Sequence, residues 1–438
     1  RLCFVERFAA PGTIAEVMGF DLDGALDADR LRAVIAALYA RHEALRLRVT
    51  LQDDGSPAQD FADPDALPWA LHDLRGQSPE AQDSHIAALR ARPVDPARAA
   101  FRVDLVRTGP EAHTLIIALH HMIYDGVSLA VILAEIGTLW AENGAPSALP
   151  KPQIAYADFA LWQRRALTDG PLKDALERVT KRLQNPPPPL ALPADRHRPA
   201  APTHDADTLP IEIPADLTAR LRSLAQDQGA SLFMVLQTAL ALLLGREART
   251  RDLIIGTVAA GRTEAATEAA VGPFFNMIAL RHTIAPHAPF TDMLKAARDQ
   301  ALEAFEDQLV PFEAVIERTV TNRSAATAVS PLFQVLFQLH TEAATLLGPL
   351  SLGGLRARPR PWSRDRAMQD LTFDLFETGA GTEAGTEAGI EARIEGRITY
   401  ATELFDAPRI ARLAQRYITL LHSIADAPET PCARLGTL

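Results

Sequence analysis

The stretch that decides the reading is Thr114-Leu115-Ile116-Ile117-Ala118-Leu119-His120-His121-Met122-Ile123-Tyr124-Asp125-Gly126. Its first six residues are apolar, partly β-branched and few, and Asp-Gly closes the segment. That combination predicts a buried strand ending in a turn. Val127 to Ile136 then reads as a helix. A strand end, turn and helix that carry imidazole and carboxylate can seat a general base at the rim of a sheet, because imidazole titrates near neutral pH. Adjacent strand residues point to opposite faces, so His120 and His121 are poorly spaced to share one metal ion. By themselves these residues leave two readings open: a general base, or a core histidine satisfied by a backbone carbonyl.

Working outward, 438 residues exceed the usual ceiling for a single core, so two domains are expected. Apolar content of 47% and charged content of 23% are those of an ordinary soluble globular protein. A net charge of -11 argues against nucleic acid and against an anionic membrane as partner. The two cysteines, Cys3 and Cys432, sit at opposite ends and allow no disulfide framework, which predicts a reducing, cytoplasmic setting. No signal peptide is visible, and the opening at Arg1 is read as a missing start. The longest apolar stretch, 231–245, contains Gln237 and Thr238 and is too short for a bilayer.

Residues 27–42 have helical period, with Leu31, Val34, Ile35, Leu38 and Tyr39 on the apolar face, and 41–49 pass into a strand. Runs 101–107 and 113–119 read as strands of a hairpin around Thr108-Gly109-Pro110-Glu111. The clearest boundary is 184–199, where Pro186 to Pro189 form an extended connector lacking backbone donors. Helices are expected at 217–228, 231–246, 290–303 and 407–425, and strands at 253–258, 333–338, 371–376 and 398–400. The tandem Ala380-Gly381-Thr382-Glu383 and Ala384-Gly385-Thr386-Glu387 reads as an expanded hairpin loop in preference to an acidic contact patch. The pattern predicts an α/β protein of two lobes, 1–180 and 181–438, with a site between them.

With the segments laid out, the chain resembles the condensation domains of nonribosomal peptide synthetases. Arg41-His42-Glu43-Ala44-Leu45-Arg46 is similar to that family's second signature, and His120 to Gly126 to its active-site signature. Tyr156-Ala157-Asp158-Phe159-Ala160-Leu161-Trp162-Gln163 is similar to the next. Val271-Gly272-Pro273-Phe274-Phe275-Asn276 resembles the fifth, Asp307-Gln308-Leu309-Val310-Pro311-Phe312-Glu313 the sixth, and the segment ending in Ser330-Pro331-Leu332-Phe333-Gln334-Val335 the seventh. The chain departs from the family at its first signature, where only Arg1 to Glu6 remain. It departs also at Leu47 and Val49, and at Asn322-Arg323-Ser324, which matches loosely. These departures bear on the lining of the substrate channel and leave the reaction class intact.

The resemblance implies two chloramphenicol-acetyltransferase-like lobes in a V-shaped pseudo-dimer with a tunnel between them, and crossover segments near 256–275 and 340–370. It implies formation of an amide, or an ester, between an acyl or peptidyl thioester and an acceptor amine or hydroxyl. Both reactants would arrive on phosphopantetheine arms of donor and acceptor carrier proteins. The chain itself would bind no cofactor and no metal. His121 is the implied catalytic residue, either taking the amine's proton or hydrogen-bonding the tetrahedral intermediate. Gly126 offers its amide to the oxyanion, or is a plain turn glycine. Asp125 is implied to pair with an arginine, with Arg46 the matching candidate, and so to hold the turn. His120 packs the other way. Asn276 and Ser330 are placed on the tunnel or substrate, Asn276 steadying the wall or touching a pantetheine arm. Tyr156 and Trp162 pack a helix. Ser128 imitates a phosphopantetheine attachment string but overlaps the turn, and is rejected; neither a carrier nor an adenylation motif is present. The rivals are an epimerisation domain (against it, Leu129 stands where tryptophan is usual and no Glu-Gly-His string occurs), an acyl-CoA-dependent alcohol acyltransferase, and an inactive carrier-docking domain.

Overall fold

The structure is a computed structural model that describes residues 15–53, 56–320, 330–340, 350–360, 362, 366–378 and 392–436. Its elements are β1 (Ala15–Asp23), α1 (Ala28–Arg41), β2 (Leu47–Leu51), β3 (Pro57–Phe61), β4 (Trp69–Asp73), α2 (Pro79–Ala91), β5 (Phe101–Arg107), β6 (Ala112–His120), α3 (Gly126–Ala141), α4 (Tyr156–Asp169) and α5 (Pro171–Arg182). They continue as β7 (Ala206–Ile213), α6 (Ala215–Asp227), α7 (Leu232–Glu247), β8 (Asp252–Ala259), β9 (Asn276–Thr283), α8 (Phe290–Glu306), α9 (Phe312–Thr319), β10 (Val335–His340), β11 (Arg356–Arg360), β12 (Leu371–Thr378), β13 (Arg393–Ala401) and α10 (Ala407–Asp426). The repeat at 380–387, the string 322–324 and residues 1–6, Cys3 included, lie outside the described residues.

The chain forms two compact units. The first comprises the described residues of 1–164, 260–275 and 344–362, and the second comprises the rest. In the first, a five-stranded sheet runs β11-β1-β6-β5-β4. Its middle strand, β6, is antiparallel to both β1 and β5. Leu115, Ile117 and Leu119 pack into a core with Leu31, Ile35 and Leu38 of α1 and Ile132 and Ile136 of α3. Ile116 points the other way, to Ile86 and Leu89 of α2. Burial on both faces is why β6 reads as an unbroken apolar run instead of an alternating one. Asp27 caps α1, its Oδ1 accepting from the amides of Asp29 and Arg30 at 3.0 Å.

In the second unit a six-stranded sheet runs β7-β13-β12-β10-β8-β9, with β10 parallel to both β12 and β8. One face carries Leu253, Ile255, Val335, Phe337, Leu371 and Phe373 into a core with α6, α7, α8 and α10. Helix α7 is buried almost all round, which accounts for the long apolar stretch at 231–245. Among the described residues no single helix is long and apolar enough to cross a membrane. The other face carries Ile254, Phe333 and Leu336 against Leu172 and Leu176 of α5 and Phe312 and Val315 of α9. Because α5 packs here, the first unit's leading segment stops at residue 164, where the sequence reading had placed the lobe boundary at 180.

Candidate active site

Strand β6 ends on His120, so the two imidazoles do not both lie in the strand: His121 opens the turn. His120 is 1% exposed. Its Nδ1 accepts from the Met122 amide at 3.2 Å. A backbone N–H can only donate, so the neutral His120 ring carries its proton on Nε2. His121 is half-buried and has the opposite tautomer. Its Nδ1 lies 3.1 Å from the Tyr124 carbonyl oxygen, which can only accept, so Nδ1 donates and the neutral ring carries its lone pair on Nε2. The ring is held between two aromatics: Tyr124 stacks on it at 4.6 Å and 11°, and Phe275 lies 4.8 Å away at 47°. The turn beneath cannot shift easily, since Met122, Ile123 and Tyr124 are themselves core residues.

Asp125 is the N-cap of α3 and 3% exposed. Oδ1 accepts from the Ser128 amide at 2.8 Å, and Oδ2 from the Phe274 amide at 3.1 Å. Oδ1 also meets Nη2 of Arg262 at 2.8 Å and the Ser128 hydroxyl at 2.7 Å. The carboxylate thus ties the turn to the Ser128 and Phe274 amides and to Arg262. The partner is not Arg46, however. Arg46 ends a 3-10 turn, and its Nη1 donates to the Ala62 carbonyl at 3.0 Å while its own carbonyl accepts from the Ala62 amide at 2.8 Å. Local backbone geometry at the start of β2 thereby holds Arg46 beside Ala62. The arginine that reaches Asp125 comes from 137 residues further on, and its guanidinium also donates to the Ala270 carbonyl at 2.8 Å and lies 4.2 Å over the Phe274 ring.

Ser128 is fully buried and bonds Gly272 through both backbone groups, at 2.9 Å to the carbonyl and 3.0 Å from the amide. A hydroxyl so enclosed is no attachment point. Gly126 is the first residue of α3, so its amide is one of four without an acceptor inside the helix. Tyr156 packs edge-on to Phe274 at 5.1 Å, and Phe159 lies 4.9 Å from the same ring. Trp162 lies 5.7 Å from Phe159 but is 45% exposed.

In the second unit, Asn276 is 7% exposed. Its Nδ2 donates to the carbonyls of Gln308 (2.8 Å) and Val310 (2.6 Å), and its Oδ1 accepts from the Phe312 amide at 3.1 Å. Both Nδ2 donors of Asn276 are thus in use on backbone carbonyls of the second unit. Ser330 is half-buried, and its carbonyl accepts from Gln334 Nε2 at 2.9 Å. The sequence reading missed Arg262, the stacking role of Phe275, and Glu135, which takes His42 Nε2 at 2.6 Å and Arg41 Nε at 3.1 Å. Each is a partner far along the chain, for which spacing carries no signal.

A family model for the condensation domain matches residues 13–438. Tyrocidine synthase 3 of Brevibacillus parabrevis is 34% identical over 440 residues, which take in 100% of this chain and 6% of that protein. Phosphinothricin tripeptide synthetase PhsC of Streptomyces viridochromogenes is 34% identical over 424 residues, 94% of this chain and 37% of that protein. The chain therefore spans a minor part of the relatives it matches. Among solved structures, the X-domain from teicoplanin biosynthesis aligns with a TM-score of 0.88 and 25% identity, over 100% of this chain and 96% of that one. The condensation domain of the Monacolin K polyketide synthase MokA aligns at 0.78 and 20% identity, over 98% and 96%. Signature, fold and relatives agree, and the chain belongs to the condensation-domain family of nonribosomal peptide synthetases.

Proposed function

We propose that this chain joins a carrier-tethered acyl or peptidyl thioester to an acceptor amine, or to a hydroxyl in an ester-forming variant, with His121 handling the proton. The observation that carries the reading is the tautomer of His121. Its Nδ1–H is fixed on Tyr124 and its ring is held by Tyr124 and Phe275, so the neutral imidazole offers its basic nitrogen at Nε2. The amine nitrogen attacks the thioester carbonyl and loses a proton to Nε2. The C–S bond then breaks, and the proton passes to the departing sulfur. A positioned base of this kind contributes about 10²–10⁴ in rate. Alignment of two tethered reactants contributes about 7–11 kcal/mol. Gly126 offers its helix-start amide to the developing oxyanion. Both reactants arrive on phosphopantetheine arms of donor and acceptor carriers.

The test is the intact mass of an acceptor carrier after incubation with a small panel of loaded donor carriers. A mass increase equal to the donor group supports the proposal, and no increase with any donor overturns it.

A second reading, a carrier- or protein-docking domain without turnover, draws on one finding: a close structural neighbour at 26% identity, the teicoplanin X-domain, was solved in complex with OxyB. Binding of loaded carriers with no product would favour it.

A further inference from the structure

Strand β4 forms one edge of the first unit's sheet and lies parallel to β5. His72 on β4 pairs with Val106 of β5, which pairs with Thr114 of β6. His120 stands six residues further along β6, about 20 Å at the rise of a strand. The surroundings of His72 are therefore remote from His121. His72 shares its face of the sheet with Asp104 and is met there by His85 of α2. Asp104 is fully buried, and Arg102 Nε and Arg92 Nη2 reach its Oδ2 at 2.9 and 3.1 Å.

The third partner of that carboxylate is His72, whose Nε2 lies 3.0 Å from Oδ1. A carboxylate only accepts, so Nε2 donates and the neutral His72 ring keeps its lone pair on Nδ1. A second imidazole nitrogen, Nε2 of His85, stands 3.3 Å from that atom. For a hydrogen bond this is long. For two ligands of one tetrahedral ion it is the natural edge: bonds of about 2.0–2.1 Å put the nitrogens about 3.3–3.4 Å apart and the ring centres about 5.2 Å apart. The rings of His72 and His85 have their centroids 5.1 Å apart, with planes at 59°. Both separations are those of a pair converging on one point.

Their chemistry selects the occupant. Two neutral imidazoles suit Zn²⁺, Ni²⁺ or Cu²⁺ and not Ca²⁺ or Mg²⁺, which take oxygen. The two guanidiniums beside Asp104 also leave no excess negative charge to draw a hard cation. A metal-bound histidine ordinarily gives its other N–H to a carboxylate, as His72 does to Asp104. His85 need only move its proton from Nε2 to Nδ1, so none is lost. We propose that His72 Nδ1 and His85 Nε2 hold a divalent transition ion, with Asp104 orienting His72 from behind. Among the described residues no third His, Cys, Asp or Glu completes a set of three, so water fills the remaining positions. The site is reachable: the His72 side chain is 22% exposed and His85 is half-buried. It is independent of the reading proposed for His121.

The experiment is calorimetric titration of the intact chain with Zn²⁺, with Cu²⁺ paramagnetic resonance to count the bound nitrogens. One saturable site is expected, with two imidazole nitrogens on Cu²⁺. His85→Ala and His72→Gln should each leave one nitrogen and weaken Zn²⁺ at least about tenfold, since loss of an outer partner alone costs about 10–100-fold. His85→Ala should fold as the parent does, because His85 lies on α2 and alanine is the best helix former. That variant decides the matter should His72→Gln fail to fold. His197→Ala, at an exposed histidine elsewhere in the chain, should change nothing. No saturable Zn²⁺ binding, a single nitrogen on Cu²⁺ in the parent, an affinity that either folded pair variant leaves intact, or an equal loss in His197→Ala would each overturn the assignment.

Discussion

An imidazole works as a base at neutral pH only if one nitrogen keeps its lone pair and the ring stays aimed. Both conditions are set at His121 by groups within four residues, the Tyr124 carbonyl and ring, plus Phe275. His121→Ala should therefore leave Tm nearly unchanged while the rate of acceptor-carrier acylation falls by about 10²–10⁴. Turnover equal to the parent's would remove His121 as the base. Asp125 predicts the opposite balance. Its Ala variant strands the guanidinium of Arg262, whose side chain is 4% exposed, and should cost about 3–5 kcal/mol in urea unfolding. Adding Arg262→Met to Asp125→Ala should restore part of that loss. A stable but inactive Asp125→Ala would instead make the carboxylate a direct participant. At this scale the string from His120 to Gly126 was legible, because strand, turn and cap are local. The identity of Asp125's partner was not, since nothing near the motif distinguishes Arg46 from Arg262.

At the scale of elements, the family's signatures prove to be contacts as much as chemistry. Gly272, from the fifth, has no room for a side chain: a Cβ there would come within 2.6 Å of Tyr156, from the fourth. Gly272→Ala should overpack this junction and destabilise the first unit by about 1–3 kcal/mol. Tyr156→Ala in the same background should relieve part of the clash, because it removes the ring atoms Cγ and Cδ2 and keeps only Cβ, and thermal denaturation of the four variants of that cycle measures the coupling. Strands with apolar cores, β5, β6, β8 and β12, were legible from composition. β1 and β11 were not, and the reason is physical. β11 reads Arg356-Ala357-Arg358-Pro359-Arg360 and lies at the sheet edge, joined to β1 by ion pairs, Arg358 to Asp23 at 2.6 Å and Arg360 to Asp21 at 3.1 Å. Charge and proline suit an edge strand but carry no hydrophobic period.

At the scale of the whole molecule, two α/β units were foreseeable from length, whereas the proline connector at 184–199, read as the boundary between them, lies inside the second unit. In their discontinuous make-up, 260–275 and the described residues of 344–362 group with the first unit; composition and period carry no sign of this, and only the resemblance, through crossover segments near 256–275 and 340–370, bore on it. Acid also acts on the second unit through His282. This residue lies on β9, on the face of Ile278 and Leu280, and burial pulls its imidazole down to about 4 from the ordinary 6.5. The folded unit keeps His282 neutral, whereas the unfolded chain takes up a proton once pH falls below about 6.5. Stability is therefore complete above that pH and drains away as pH drops towards 4, by on the order of 3 kcal/mol from this group alone. His113, lowered mainly by desolvation, acts in the same direction in the first unit. Urea unfolding followed between pH 7.5 and 4 should show that slope in the parent and a flatter one in His282→Leu, which has nothing to protonate. Parallel slopes in the two proteins would mean that His282 is not the group through which acid loosens the second core.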